Sequence, residues 1–158
     1  MSLRSLPLPD GVAGRVWLGP MPGRLEPWPD FLTSARTAGL TRVLCLTPRE
    51  ELARLSPAYD AAIRAGALPF AWHALPMDDY GLSTDADRYG QGIEQLATAV
   101  EAGAVVLLHC AAGIGRTGTT AACLLKRLGV PSDEALRRVR LAGSNPQSAS
   151  QSGLIERF

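Results

Sequence analysis

Ala104-Val105-Val106-Leu107-Leu108-His109-Cys110-Ala111-Ala112-Gly113-Ile114-Gly115-Arg116-Thr117-Gly118 is the stretch that decides how this chain folds. A continuous apolar run enters a loop of small residues, and an Ala/Leu-rich stretch, residues 119–128, leaves it. The run has the length of a buried strand and the exit that of a helix, so the loop is a strand-to-helix turn. A helix start gathers unpaired N–H groups and a partial positive charge. Successive amides wrapped about one point bind an oxyanion. Gly113 and Gly115 are expected to supply the positive φ values of the wrap, with Ala111, Ala112 and Ile114 completing the cradle. Arg116 adds a planar fork able to hold two phosphate oxygens. Cys110 lies at the floor, where the field favours a thiolate placed for in-line attack on phosphorus and a cysteinyl-phosphate. His109 is expected to order the loop, and the Thr117 hydroxyl to hydrogen-bond the sulfur and improve it as a leaving group.

Cleaving a phosphate ester also needs a proton for the departing oxygen, usually from a carboxylic acid. Upstream, Phe70-Ala71-Trp72-His73-Ala74-Leu75-Pro76-Met77-Asp78-Asp79-Tyr80-Gly81 runs from a strand into a polar loop and offers Asp78 and Asp79. Asp85 and Asp87 suit the first turn of the helix that follows. His73 alternates with Trp72 along the strand and reads as structural or as a rim residue. Two histidines and no Cys/His spacing of the zinc kind predict no metal site. The chemistry calls for no cofactor.

With 158 residues, 46% hydrophobic and 20% charged, the chain has enough apolar material for one domain, residues 1–158. A net charge of +1 gives no field to recruit nucleic acid or an anionic membrane. No apolar run approaches the roughly 20 residues of a membrane span, and the N-terminus lacks a signal-peptide core. Three cysteines without a pairing pattern suit a reducing cytoplasm. Of 16 basic residues only Lys126 is lysine, which with the Ala, Gly and Pro content hints at a GC-rich bacterial genome.

Residues 1–14 are rich in Pro and Gly and read as an extended lead-in. Strands are predicted at 15–18, 43–46, 70–74 and 104–108. Helices are predicted at 28–38, 48–55, 57–65, 84–102 and 117–128, then from a cap at Ser132-Asp133-Glu134 to Gly143, and finally over 150–158. The alternation implies an α/β fold, a central mostly parallel twisted sheet flanked by helices on both faces. The 109–118 loop then lies at the carboxyl end of a central strand, where ligands bind in open α/β sheets.

Residues 109–118 resemble the active-site signature of the cysteine-based protein tyrosine phosphatase superfamily, His-Cys-x5-Arg-Ser/Thr-Gly, at every position. The short length resembles the dual-specificity branch. Residues 43–52, residues 75–81 and Arg140-Leu141-Ala142-Gly143-Ser144 leading to Gln147 and Gln151 are similar to the kinase-associated phosphatase group. The resemblance implies a protein phosphatase with a phosphorylated protein or peptide substrate, inhibited by phosphate and vanadate. It favours phosphotyrosine ahead of phosphoserine and phosphothreonine. On the family's Pro-x-x-Asp register Asp79 is the acid and Tyr80 borders the pocket, with Asp78 the alternative. Gln151 would position the hydrolytic water, or be part of a polar helix start. Cys45 would pair reversibly with the nucleophile, or be an inert buried thiol; Cys123 reads as core. The loop interior holds no lysine, which disfavours a polyphosphoinositide. Two other functions share the loop: a non-catalytic phospho-residue binding module and an RNA 5′-phosphatase. The presence of Cys110, Arg116 and Asp79 weighs against the first; Asp79 and the near-zero charge weigh against the second.

Overall fold

The structure, a computed structural model, describes residues 3–77 and 85–158. Five strands, β1 (Arg4–Ser5), β2 (Arg15–Gly19), β3 (Arg42–Cys45), β4 (Ala71–Ala74) and β5 (Val105–His109), form one sheet in the order β1-β2-β5-β3-β4. All neighbours are parallel except the edge pair β1 and β2. The helices of the described residues are α1 (Trp28–Ala38), α2 (Arg49–Leu55), α3 (Pro57–Arg64), α4 (Ala86–Glu101), α5 (Gly115–Arg127), α6 (Ser132–Leu141) and α7 (Ala149–Glu156). None of them is long and apolar enough to cross a membrane.

The register explains where the loop sits. In β5, His109 lies opposite Gly19 of β2 and Cys45 of β3, so three parallel strands end at one level. Successive side chains of a strand point to opposite faces, and β5 is apolar on both. Val106 and Leu108 pack with Val16, Leu18 and Leu44 against α4 to α7, through Ile93, Leu124, Val139 and Ile155. Leu107 packs with Val43 and Trp17 against Phe31 and Ala35 of α1. Helices on both faces are what a continuous apolar strand requires. Leu107 and Leu108 are both fully buried, and removing either side chain is expected to cost about 2–5 kcal/mol. Helix α5 follows the loop and is buried from Gly115 to Leu125, packed between α4, α6 and α7.

Several boundaries differ from expectation. The lead-in is more than a connector, because Arg4–Ser5 pairs with Leu18 and Trp17 as an antiparallel edge strand. Helix α5 starts at Gly115, two residues early, from Ile114 and with no side-chain cap. Its first amides are thus left for the loop. Helix α4 starts at Ala86, with Asp85 as N-cap accepting from the Arg88 amide, not as a first-turn residue. The predicted start at Thr84 lies outside the described residues. Helix α6 enters through Pro131 without a side-chain cap: Asp133 accepts instead from the adjacent Glu134 amide, 2.9 Å away. Helix α7 begins at Ala149 with Ser148 as its cap and ends at Glu156.

Candidate active site

The loop after β5 is held open by its carbonyls. The Cys110 oxygen lies 3.1 Å from His109 Nδ1, and the Ala111 oxygen accepts from the Met21 amide at 3.1 Å. The Gly113 oxygen accepts from Arg4 Nη2 at 2.6 Å and from Ser144 Oγ at 2.7 Å. The Ile114 oxygen accepts from the amides of Gly118 and Asn145. In a trans peptide the C=O and the following N–H point in opposite directions, so carbonyls tied outward turn the amides of Ala111, Ala112, Ile114 and Gly115 into the cradle. Gly113, at φ 78°, is the loop's left-handed residue, and a Cβ there would meet the Gly19 backbone at 2.4 Å. Gly115 has no positive φ, contrary to expectation. A Cβ there would lie 2.5 Å from Gln147 Oε1, the end of a side chain that would have to move.

Cys110 is buried at the floor of a cavity of about 150 Å³, lined also by Arg24, Ala111, Ala112, Gly115, Arg116 and Gln147. Its sulfur accepts from the Thr117 hydroxyl at 3.0 Å and from the Gly113 amide at 3.3 Å. Arg116 is 2% exposed. Its Nη2 lies 2.8 Å from Glu51 Oε2 and its Nη1 3.3 Å from Oε1, a two-point pairing with α2. Nη1 also donates to the Met77 oxygen at 3.2 Å. The guanidinium is therefore fixed in orientation, with its charge balanced by Glu51.

A chain of donors runs from the opposite face. Trp72 Nε1 donates to Tyr59 Oη at 2.7 Å, and Tyr59 Oη lies 2.8 Å from His109 Nε2. Indole only donates and a carbonyl only accepts. The Tyr59 proton therefore goes to Nε2, and Nδ1–H donates to the Cys110 oxygen. That is the neutral tautomer. Burial lowers the His109 pKa to about 4, with Arg116 adding to the effect and the Cys110 carbonyl opposing it. Burial also raises Tyr59 well above the ordinary phenol value.

The remaining residues fall in different places. Gln151 is fully buried on α7; its Oε1 accepts from the Gln147 amide at 2.9 Å. It is Gln147 that lines the cavity. Asp78, Asp79 and Tyr80 lie outside the described residues. His73 is exposed in a separate groove with Arg42 and Arg88, and burial with the Arg42 charge lowers its pKa. Cys45 packs with Met21, Leu52 and Tyr59, whereas Cys110 belongs to the core of the other face. The Cys45 thiol donates to the Thr47 oxygen, and burial pushes its pKa up to about 12. Burial does the same to Cys123 on α5. Among the described residues no group of three His, Cys, Asp or Glu could hold a metal ion. Sequence reasoning missed Arg4, Arg24, Glu51, Tyr59 and Ser144. An acidic residue just after Pro48 and a lone Arg in an apolar lead-in were the available signals.

The family model described as "Swiss Army Knife protein, DSP-PTPase phosphatase domain" matches residues 29–153. The chain belongs to that phosphatase domain family. Solved structures agree in fold. Kinase associated phosphatase (KAP), with its catalytic-site cysteine replaced by serine, superposes at TM-score 0.83 with 20% identity, over 99% of this chain and 92% of that one. PTPMT1 gives TM-score 0.72 at 20% identity, over 99% and 92%. The same phosphatase in complex with PI(5)P gives 0.66 at 21% identity, over 94% and 90%. No curated protein matches this chain in sequence.

Proposed function

We propose that this chain is a protein phosphatase that hydrolyses phosphotyrosine, and secondarily phosphoserine or phosphothreonine, monoesters through a cysteinyl-phosphate. The observation that carries the reading is the Cys110 sulfur at the floor of an amide-lined cradle, receiving hydrogen bonds from Thr117 and Gly113 beside Arg116. In the first step a Cys110 S–P bond forms as the ester P–O bond breaks, and Asp79 gives its proton to the leaving oxygen. Arg116 and the loop amides carry the charge spread over the equatorial oxygens. In the second step Asp79 takes a proton from water. The water oxygen bonds to phosphorus and the sulfur leaves as a thiolate, stabilised by the Thr117 hydroxyl.

Asp79 and its alternative Asp78 follow Met77 in sequence, and the Met77 carbonyl touches Arg116. Tyr80 would border the pocket. Gln151, through the Gln147 backbone it holds, would help place the water. The cradle interior carries no lysine, and its cations are Arg116 and, at the rim, Arg24. This supports a single phosphate on a peptide over a polyphosphoinositide. Three free buried thiols suit a reducing cytoplasm.

The test is hydrolysis of an aryl phosphate by the purified chain with chelator, with vanadate, and by Cys110→Ser. Chelator-resistant, vanadate-sensitive turnover that Cys110→Ser lacks is expected, with phosphotyrosine peptides preferred to PI(5)P. Unchanged turnover by Cys110→Ser would end the reading.

A further inference from the structure

We infer that Arg4 is a positioning residue that locks the phosphate loop in its anion-accepting form, so that the N-terminal strand is part of the site's machinery. Arg4 stands on β1, far in sequence from the partners of its guanidinium. Its Nη2 donates to the Gly113 oxygen at 2.6 Å, and its Nη1 to the Ala142 oxygen at 2.5 Å and to Ser144 Oγ at 2.9 Å. The Ser144 hydroxyl spends its own proton on the same Gly113 oxygen, at 2.7 Å. The fit is a shaped one: Gly143 is at φ 83°, and a Cβ there would come within 2.9 Å of Arg4 Nη1.

The Gly113–Ile114 peptide is the loop's weak point. A glycine with positive φ has alternative conformations close in energy, and a flip of this peptide would aim a carbonyl dipole at the anion in place of an amide. Two donors, one of them charged, hold the oxygen outward and leave the Ile114 amide facing the cradle. A planar fork reaches the three acceptors from two nitrogens in fixed geometry, whereas an ammonium has a single nitrogen from which to do so. The guanidinium also lies within electrostatic reach of the Cys110 sulfur, which opposes the lowering of the Arg4 pKa by burial.

The inference rests on reading the 110–116 loop as a phosphate cradle. Calorimetric titration with inorganic phosphate tests it on the full chain and on Arg4→Met, Arg4→Lys and Ser144→Ala. Arg4→Met should bind phosphate roughly ten- to a hundred-fold more weakly, the span of one charge-assisted hydrogen bond. Arg4→Lys and Ser144→Ala should fall between it and the unaltered chain, and they carry the test if Arg4→Met does not fold. With the assay well below each variant's Tm, a purely structural role would leave the affinity unmoved. Phosphate bound equally by the unaltered chain and by the folded variants overturns the inference and spares the cradle. Phosphate not bound by the unaltered chain overturns both.

Discussion

The Thr117 hydroxyl stands 3.0 Å from the Cys110 sulfur, donating to it from the first turn of the helix that the loop starts. The bond acts on the sulfur wherever it carries negative charge, which is most fully when phosphate leaves it. Thr117→Ala should therefore slow breakdown of the phosphoenzyme about ten- to a hundred-fold, the worth of a hydrogen bond to a charged group. Rapid-mixing kinetics on an aryl phosphate should show a burst of aryl alcohol followed by a slow steady state. Loss of the burst together with the steady state would place the role of Thr117 in the first step instead.

Glu51 meets Arg116 at two points, and Arg116 is buried. Removing one partner of such a pair leaves an uncompensated charge. Glu51→Ala should cost about 3–5 kcal/mol in urea unfolding, and Glu51→Gln, which keeps acceptor and shape, clearly less. An alanine variant within about 1 kcal/mol of the parent would mean the pair is solvated and weak.

His109 is held neutral, its pKa depressed from 6.5 to about 4 by burial. Between those values the unfolded chain binds a proton that the native chain refuses. Stability therefore falls as pH drops through that window and levels off, for this group, below about 4. The whole window is worth on the order of 3 kcal/mol. Urea unfolding at pH 7 and pH 5 should show a loss that His109→Asn, which cannot titrate, does not share.

Cys45 and Cys123 both have thiols pushed up to about 12 by burial, so neither should react at neutral pH. Brief iodoacetamide treatment followed by peptide mapping should label Cys110 and spare the other two. Peroxide inactivation reversed by thiol should be the same in Cys45→Ser as in the parent, because Cys45 and Cys110 pack into cores on opposite faces of the sheet. Protection of Cys110 that disappears in Cys45→Ser would restore the disulfide alternative.

How much was legible in the sequence follows from how local each cause is. The apolar run of β5, the left-handed Gly113 and the helix after the loop are dictated by neighbours in the chain, and their period and turn chemistry can be read directly. The parallel sheet follows from strand and helix alternation. What could not be read is set by contacts far apart in sequence. Arg4 meets Gly113 across 109 residues, Glu51 meets Arg116 across 65, and Tyr59 meets His109 across 50. Gly115 lacks the positive φ expected of it, and what a Cβ there would meet is Gln147, which is also distant in sequence. Among the helix caps, Ser132 looked suitable, but Pro131 already fixes the entry backbone.

The most direct test of the account is to trap the intermediate. The chain, and the slow Thr117→Ala variant, would be mixed with an aryl phosphate, quenched in acid within the first turnover, and mapped by mass spectrometry. One phosphoryl group on the peptide that holds Cys110, absent from Cys110→Ser, is the predicted result. Turnover with no phosphoryl on that peptide, and undiminished in Cys110→Ser, would contradict the mechanism at its first step.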